Sequence, residues 1–438
     1  MLFSCNTEEF ATKNEISLIE IEVKQGNCFK LPVEEAKENL LSFLSGMEES
    51  AEGAITTRSR AQRIVKNVEV IGSKEKIATY SSVYNDNLFA SVNIDTFMYL
   101  MNFDNNQGFA IVSADRRSNN IYAIIDEGSM NVEQLVQETN LGFYMFMNGA
   151  IKKEIHDIAV FDKENEDAII YSSGSGSSGG SSSGSGNFPI TPLYVGHTAP
   201  RLKTKWGQNS PYGSYCPNKV AGCLAVAITQ LFSYYQTIDV FSYYNNSYTL
   251  NWSRIISDCE NKTPYYGALG ASSEAQSTDQ IAHLMRYVGY SLGATYNVNG
   301  QTTMAYDIGL AWLANFYGIG HVWYLNYYSA NQAYINVSLG NLIFMKGRGT
   351  DIKGQNVGHA WIIDGGVQYK QAENSAVCNY YVHCNWGWHG RCDGYYMSEL
   401  FNLYEGADYW DENIDNDPEN GQPLVLDYSF DTAIMCKK

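Results

Sequence analysis

The stretch 221-AGCLAVAITQLF-232 places Cys223 behind a glycine and in front of a run of small and apolar residues that favours a helix. A buried cysteine usually packs in a core as a small hydrophobic side chain. At the first turn of a helix, however, unpaired backbone N–H groups and the helix dipole stabilise a thiolate and lower the pKa of the thiol. Cys223 is therefore a candidate nucleophile, and a core thiol is the alternative.

The chain has the composition of an ordinary globular protein, with 45% hydrophobic and 17% charged residues. A chain of 438 residues is too long to fold around one compact core, so its length predicts two or three domains. The net charge of -18 argues against nucleic-acid binding, because a phosphate backbone requires patches of lysine and arginine. No apolar run approaches the roughly 20 residues that are needed to span a bilayer.

One low-complexity tract divides the chain. Residues 172–186 contain only serine and glycine, which cannot bury apolar area and which behave as a flexible coil. The uniformity of the tract is typical of an engineered linker, so it takes no part in the predicted fold. We predict two domains, 1–171 and 187–438, with a flexible terminus over residues 1–14.

Both domains are predicted to be α+β. In the first domain, apolar residues on one face predict a helix over 33–44, and β-rich runs follow at 68–72 and 108–115. This domain contains one histidine, His156, and no nucleophile paired with a base, so nothing in it indicates catalysis.

The second domain places helices before strands. The Cys223 helix is followed by a predicted helix over 277–289, where Ser277 and Gln280 form a capping-box pattern. Strand-like runs follow at 359–366 and 379–388. This order predicts an α+β domain and not a βαβ domain.

A nucleophilic cysteine needs a base within hydrogen-bond reach, and His359 is the best candidate because it stands at the start of an apolar strand. The imidazolium needs a group that accepts its other N–H, and the amide of Asn385, beside Trp386, can do so. A tetrahedral oxyanion needs fixed donors, which the backbone N–H of Cys223 and the side-chain amide of Gln208 can supply.

Each of these residues has a structural alternative. The histidine can simply end a strand, the asparagine can cap a turn, and the glutamine can be a loop amide. Taken together, their order along the chain, Gln-Cys-His-Asn, is that of papain-type proteases.

Five stretches of the second domain resemble the streptopain family of cysteine proteases, to which interpain belongs. They are 206-WGQNSPYGSYCP-217, 221-AGCLAVAITQ-230, 281-IAHLMRYVGYSLGATYNVNG-300, 358-GHAWIIDGG-366 and 383-HCNWGWHGRCDGYY-396. The first domain resembles the propeptide of that family through 108-GFAIVSADRRSNNIYAIIDEGS-129.

The resemblance implies a papain-like fold and hydrolysis of peptide bonds through an acyl-thioenzyme. It implies Cys223 as the nucleophile, His359 as the general acid and base, and Gln208 in the oxyanion hole. Asn385 falls at the position that orients the imidazole, and Trp386 at the tryptophan beside it. Two departures concern the short gap between Gln208 and Cys223 and an extra stretch over 367–381.

The resemblance also implies a zymogen. The first domain would act as an intramolecular inhibitor that blocks the cleft or displaces His359, until an activating protease cuts between the domains. The tract 172–186 would then replace the native activation loop. Protein or peptide substrates are expected as partners, and no nucleic acid.

The residues Leu2-Phe3-Ser4-Cys5 are similar to the bacterial lipobox, in which the cysteine is acylated. We therefore expect a secreted protein or a surface or periplasmic lipoprotein of a bacterium, whose signal peptide has been trimmed, with Cys5 as the lipidation candidate. A disordered terminus is the alternative.

Two groups of residues could suggest a metal site. Cys378, Cys384, His389 and Cys392 fit no standard zinc spacing. The acidic loop 408–423 echoes an EF-hand but lacks its glycine and its final glutamate. Since the nine cysteines are odd in number and include no CxxC pair, a disulfide framework is not indicated either. We predict no metal and no other cofactor.

Two other classes of protein compete with the protease. An amidase or a transglutaminase would use the same cysteine, histidine and asparagine. A binding protein could keep a papain-like fold without catalysis, although the intact set of four polar residues argues against it.

Overall fold

The computed structural model describes residues 29–49, 63–72, 96–118, 120–164, 193–261, 273–325, 328–350, 356–370, 377–402 and 428–437. Cys5, the terminus 1–14, the tract 172–186 and the acidic loop 408–423 lie outside these ranges, and what the sequence predicts for them remains a prediction.

Eight helices lie within the described residues. They are α1 (Val33–Glu49), α2 (Val132–Val136), α3 (Leu141–Glu164), α4 (Cys223–Tyr235), α5 (Trp252–Asn261), α6 (Ser273–Ser291), α7 (Tyr306–Tyr317) and α8 (Ala330–Ser338). Short 3-10 turns span Asp104–Asn106 and Ser398–Phe401.

The described strands are β1 (Val65–Ile71), β2 (Met98–Phe103), β3 (Phe109–Ser113), β4 (Ile121–Ile125), β5 (Leu193–Thr198), β6 (Val240–Tyr243), β7 (Asn246–Thr249), β8 (Thr295–Tyr296), β9 (Thr302–Thr303), β10 (Gly320–Leu325), β11 (Leu342–Thr350), β12 (Asn356–Lys370), β13 (Asn379–Asn385), β14 (Gly394–Met397) and β15 (Tyr428–Lys437).

Eleven of these strands form one antiparallel sheet in the order β1-β2-β3-β4-β14-β13-β12-β11-β15-β10, with β5 paired to the far end of β12. The sheet crosses from the N-terminal to the C-terminal segment where β4 pairs with β14. The pairs β6–β7 and β8–β9 are separate hairpins. Helices combined with antiparallel strands confirm the predicted α+β class.

The long strand β12 separates two hydrophobic cores, because successive side chains of a strand point to opposite faces. Trp361 and Ile363 pack into the core that also contains α3, α8 and the N-terminal strands. Ala360 and Ile362 pack into the other core, against α4. One face of β12 therefore packs toward helix α3 of the N-terminal segment, and the other face packs against the Cys223 helix.

Two predicted helices are present and are longer than the sequence indicated. The capping box predicted at Ser277 is wrong, because α6 begins at Ser273 and Ser277 lies inside the helix. Its buried hydroxyl donates to Asp258 Oδ2 at 2.6 Å, and Gln280 Oε1 accepts from the backbone N–H of Asn251 at 3.2 Å. Both side chains serve tertiary contacts, and these override the local capping pattern. No helix within the described ranges has the length and apolarity to cross a membrane.

Candidate active site

Helix α4 begins at Cys223, as the sequence predicts. Gly222 is the N-cap residue and has φ 90° and ψ 146°, a conformation that residues with a Cβ strongly avoid. A Cβ at this position would lie 3.0 Å from Met304 Cε and from Thr302 Cγ2. The residue before the sulfur must therefore be glycine for both conformational and steric reasons.

We expect Gly222→Ala to lower the free energy of unfolding by about 1–3 kcal/mol, the typical cost of holding such a residue in this region. Urea unfolding of the full chain measures the loss. The matched control is Gly293→Ala, since Gly293 has φ 64° but a Cβ added there would meet no heavy atom within 4 Å. A loss at Gly222 no larger than the loss at Gly293 would contradict the steric part of this account.

The Cys223 thiol is half-buried between the start of α4 and the backbone of β12. Its Sγ lies 4.0 Å from the carbonyl oxygen of Gly358. Burial raises the pKa of the Cys223 thiol above its ordinary value, although the backbone N–H groups of Ala360, Leu224 and Cys223 itself act in the opposite direction. The donors at the helix start are thus present, but in this arrangement the thiol is protonated at neutral pH.

His359 lies on the opposite face of β12 from the thiol. Its imidazole is fully buried, with ring centroids of Trp361, Trp386 and Trp388 at 6.0, 6.4 and 6.3 Å. Nε2 donates to the carbonyl oxygen of Trp386 at 2.8 Å, while the buried Nδ1 has no hydrogen-bond partner among the described residues. Burial lowers the pKa of His359 to about 4, so the ring is neutral at pH 7.

The sequence predicts that His359 faces the thiol across a cleft, and the described arrangement does not place it there. The alternation of side chains along β12 explains the difference: Ala360, one residue on, faces α4 with Cys223, whereas His359 shares the face of Trp361. A neutral thiol and a neutral imidazole on two faces of a sheet cannot form an ion pair.

Asn385 ends β13 on the same face as Cys223, since it pairs with Ile362. The side chain is buried, with Nδ2 donating to the carbonyl oxygen of Thr204 at 2.8 Å. Its Oδ1 accepts the backbone N–H of Gly387 at 3.2 Å. The amide is therefore held from both ends close to the Cys223 helix.

The backbone of Gln208 is hydrogen-bonded to the residues that lead into helix α4. Its carbonyl oxygen accepts the backbone N–H of Ala221, two residues before Cys223, at 2.7 Å. The short gap between the glutamine and the cysteine is closed by the turns of residues 209–219, where the backbone of Gly213 packs against this carbonyl. The structure thus brings the backbone of Gln208 to the start of helix α4 despite the shortened loop.

Trp386 is fully buried on the face of His359. Its backbone N–H donates to Asp393 Oδ1 at 2.9 Å. Helix α3 of the N-terminal segment lies directly on the indole, where a Cβ at Gly142 would approach Trp386 Cε3 to 2.1 Å. The N-terminal segment therefore covers the side of the sheet that holds the histidine.

Two residues that contact this arrangement, Thr204 and Gln230, were not predicted from the sequence. Both are fully buried, and Thr204 Oγ1 donates to Gln230 Oε1 at 3.3 Å. An available signal was the single amide in the run 224-LAVAITQLF-232, where a polar residue that faces a core requires a partner.

Residues 206–396 match the sequence model of the peptidase C10 family. All the predicted site residues from Gln208 to Trp386 lie inside this range. A search of curated proteins finds no match for the chain.

A search of solved structures finds the active wild-type interpain A cysteine protease of Prevotella intermedia. It shares 22% sequence identity with this chain and has a TM-score of 0.37, and the match covers 56% of this chain and 95% of interpain A. Because this likeness is low, the assignment rests on the family match.

The match of residues 206–396 to the peptidase C10 family supports a cysteine protease, and the observed α+β fold agrees with it. Residues 206–396 match the peptidase C10 family, the family of streptopain and interpain. The resemblance found in the sequence from Trp206 onward is thereby confirmed.

Proposed function

We propose that the chain is the zymogen of a cysteine endopeptidase, in which the N-terminal segment holds His359 away from Cys223. One observation carries the proposal: the imidazole is buried on the far side of β12, with Nδ1 unpaired among the described residues. A buried nitrogen without a partner costs about 1–3 kcal/mol. This cost favours movement of the imidazole out of its buried site once the N-terminal segment is removed.

Several contacts hold the N-terminal segment against the C-terminal segment. The pairing of β4 with β14 makes the sheet continuous across the two segments. Near it, Glu138 Oε2 lies 2.9 Å from the guanidinium of Arg391, and Asn140 Nδ2 donates to the Arg391 carbonyl at 3.0 Å. Phe146 of α3 packs edge-on against Tyr396, with ring centroids 4.7 Å apart.

A buried ion triad adds to this interface. His383 lies between Asp364 of its own segment, at 2.5 Å, and Asp126 of the N-terminal segment, at 3.1 Å. Burial lowers the pKa of His383, but the two carboxylates outweigh it and raise the pKa to about 10. The imidazolium is therefore charged at neutral pH and binds a carboxylate of the covering segment.

In the mature enzyme, the backbone of β12 around His359 would rearrange so that the ring reaches the face of Cys223, where Nδ1 can take the thiol proton and Asn385 Oδ1 can accept Nε2–H. The thiolate then attacks the carbonyl carbon of the scissile bond, and the Cys223 N–H and the Gln208 amide stabilise the oxyanion. The imidazolium protonates the departing amine, which leaves a thioester. Water, deprotonated by the imidazole, hydrolyses this acyl-enzyme and returns the thiolate–imidazolium pair.

We also propose protein or peptide substrates and an activating protease that acts between the segments. Export from a bacterial cell, with Cys5 as the lipidation site, completes the proposal. Mass spectrometry of the protein from membranes of its native host tests the last point, because acylation would add the mass of lipid to the peptide that begins at Cys5.

The test uses the full chain before and after limited chymotrypsin digestion, which can cut at Tyr171, directly before the Ser/Gly tract. Both samples are treated with an epoxysuccinyl peptide, and the adduct is mapped. We expect rapid labelling of Cys223 and degradation of casein only after the cut.

The other outcomes decide between the classes of protein. Labelling without casein degradation would favour an amidase or a transferase. The absence of labelling after the cut would favour a silent binding protein. Equal labelling of the uncut and cut chains would overturn the zymogen part of the proposal.

The pH dependence of alkylation gives a further prediction. In the uncut chain the raised pKa of Cys223 should make its reaction with iodoacetamide accelerate well above neutral pH. After the cut, an imidazolium beside the sulfur should stabilise the thiolate, so that the rate is already high at neutral pH. Peptide mapping at each pH separates Cys223 from the other thiols, and identical profiles would contradict the rearrangement.

A further inference from the structure

Helix α4 contains a buried side-chain amide that its own helix does not satisfy. Gln230 is fully buried two turns after Cys223, in a helix whose neighbouring side chains are mostly apolar. The adjacent Thr229, equally buried, donates to the carbonyl oxygen of Ala225 at 2.7 Å within the helix. Gln230 differs because its amide bonds to a residue outside the helix, in the chain that precedes it.

The contact of Gln230 is specific but incomplete. Its Oε1 accepts the hydroxyl proton of Thr204 at 3.3 Å, whereas Nε2 has no hydrogen-bond partner among the described residues. An unpaired buried amide costs about 1–3 kcal/mol, which an apolar side chain of the same shape would avoid. A polar group kept in a core at such a cost points to a role other than stability.

Thr204 connects this amide to the active site. Its carbonyl oxygen accepts Asn385 Nδ2 at 2.8 Å, while Asn385 Oδ1 accepts Gly387 N–H at 3.2 Å. Both bonds define the same orientation of the asparagine amide, with the nitrogen toward Thr204 and the oxygen away from it. Only the oxygen can accept an N–H from an imidazole, since the opposite orientation would bring two donors together.

The geometry points to Gln230 as a positioning residue that fixes the orientation of the Asn385 amide through Thr204. This inference rests on the proposed function, because the orientation matters only if Asn385 receives the His359 imidazole. Without the Gln230 contact, the Thr204 side chain keeps only its contact with Ser233 Oγ at 3.4 Å, so Thr204 can shift and its carbonyl no longer holds Asn385 Nδ2 in place. The amide then rotates, and the imidazolium loses its acceptor.

The test compares cut wild type with Gln230→Met, which keeps the length of the side chain and removes its polar atoms. We expect kcat on casein to fall about 10- to 100-fold, the effect of a small misplacement of catalytic groups, with KM nearly unchanged. The alkaline limb of the pH–rate profile should move toward lower pH by about one unit, since an imidazolium without its acceptor is a stronger acid. The unfolding midpoint of the uncut chain should stay the same or rise.

Three further variants make the test decisive. Thr204→Val removes the same contact from the other side and should reproduce the slower rate and the shifted limb. Gln230→Glu keeps an acceptor oxygen and should retain most of the rate at mildly acid pH, where burial keeps its carboxyl protonated. Thr229→Val is the matched control, because it loses a buried hydrogen bond of the same helix without touching Thr204.

Wild-type rate and limb position in Gln230→Met would overturn the inference, as would an equal loss in Thr229→Val. A loss of rate that merely follows a loss of stability would overturn it too. If cut wild type itself neither degrades casein nor labels at Cys223, the proposed function fails, which is distinct from a failure confined to the variants.

Discussion

Replacing Cys223 by alanine should reduce casein hydrolysis by the cut protein by roughly 10⁴-fold or more, the usual consequence of removing a nucleophile. Cys223 is the residue with its sulfur at the start of α4, beside the N–H groups of Leu224 and Ala360. The variant should fold as the wild type does, because the half-buried thiol makes no strong hydrogen bond. Initial rates and an unfolding curve of the same preparation measure both effects.

Cys259→Ala provides the matched control. Cys259 is also a half-buried free thiol, and burial raises its pKa to about 12. It lies on α5, and its loss should leave the rate unchanged. A Cys223→Ala protein that still hydrolyses casein at a rate near that of the control would remove the basis of the proposed mechanism.

Replacing Gly142 by leucine should activate the uncut chain. The new Cβ would lie 2.1 Å from Trp386 Cε3, so helix α3 must move away from the indole that covers His359. Overpacking of this kind costs about 1–3 kcal/mol, which would shift the docking equilibrium of the N-terminal segment by about 5- to 150-fold. We expect labelling of Cys223 by the epoxysuccinyl peptide to accelerate by a factor in this range.

The double variant Gly142→Leu, Cys223→Ala controls for reaction at the other cysteines and should show no accelerated labelling. Limited proteolysis of the single variant should also cut α3 faster than in wild type. If the single variant is destabilised but its Cys223 reacts no faster, contact between α3 and Trp386 does not control access of the histidine to the thiol.

Local patterns in the sequence were sufficient to predict where α4 begins and where the main strands lie. Gly222 and the apolar run behind Cys223 specify where α4 begins, because a glycine N-cap and helix-forming residues act within a few positions. The strands β12 and β13 were predicted near their observed positions for the same reason. The capping box at Ser277 failed, since contacts with Asp258 and Asn251 lie outside the local segment.

The candidate residues could also be chosen from the sequence, but their arrangement could not. Cys223 and Asn385 lie on one side of the sheet, and the backbone of Gln208 is bonded to the chain that leads into α4. Thr204 and Gln230 could be recognised as part of the site only from the contacts that the structure shows. No periodicity in the sequence relates residues that are so far apart along the chain.

The sequence by itself determined which side chains are available for thiol chemistry and which family residues 206–396 resemble, since both depend on residue types in a fixed order. The tertiary structure alone decided that His359 is buried away from Cys223, beneath a helix of the other segment. The physical reason is that a pKa and a contact depend on what packs around a group, and in this sheet that environment is built by strands from both segments.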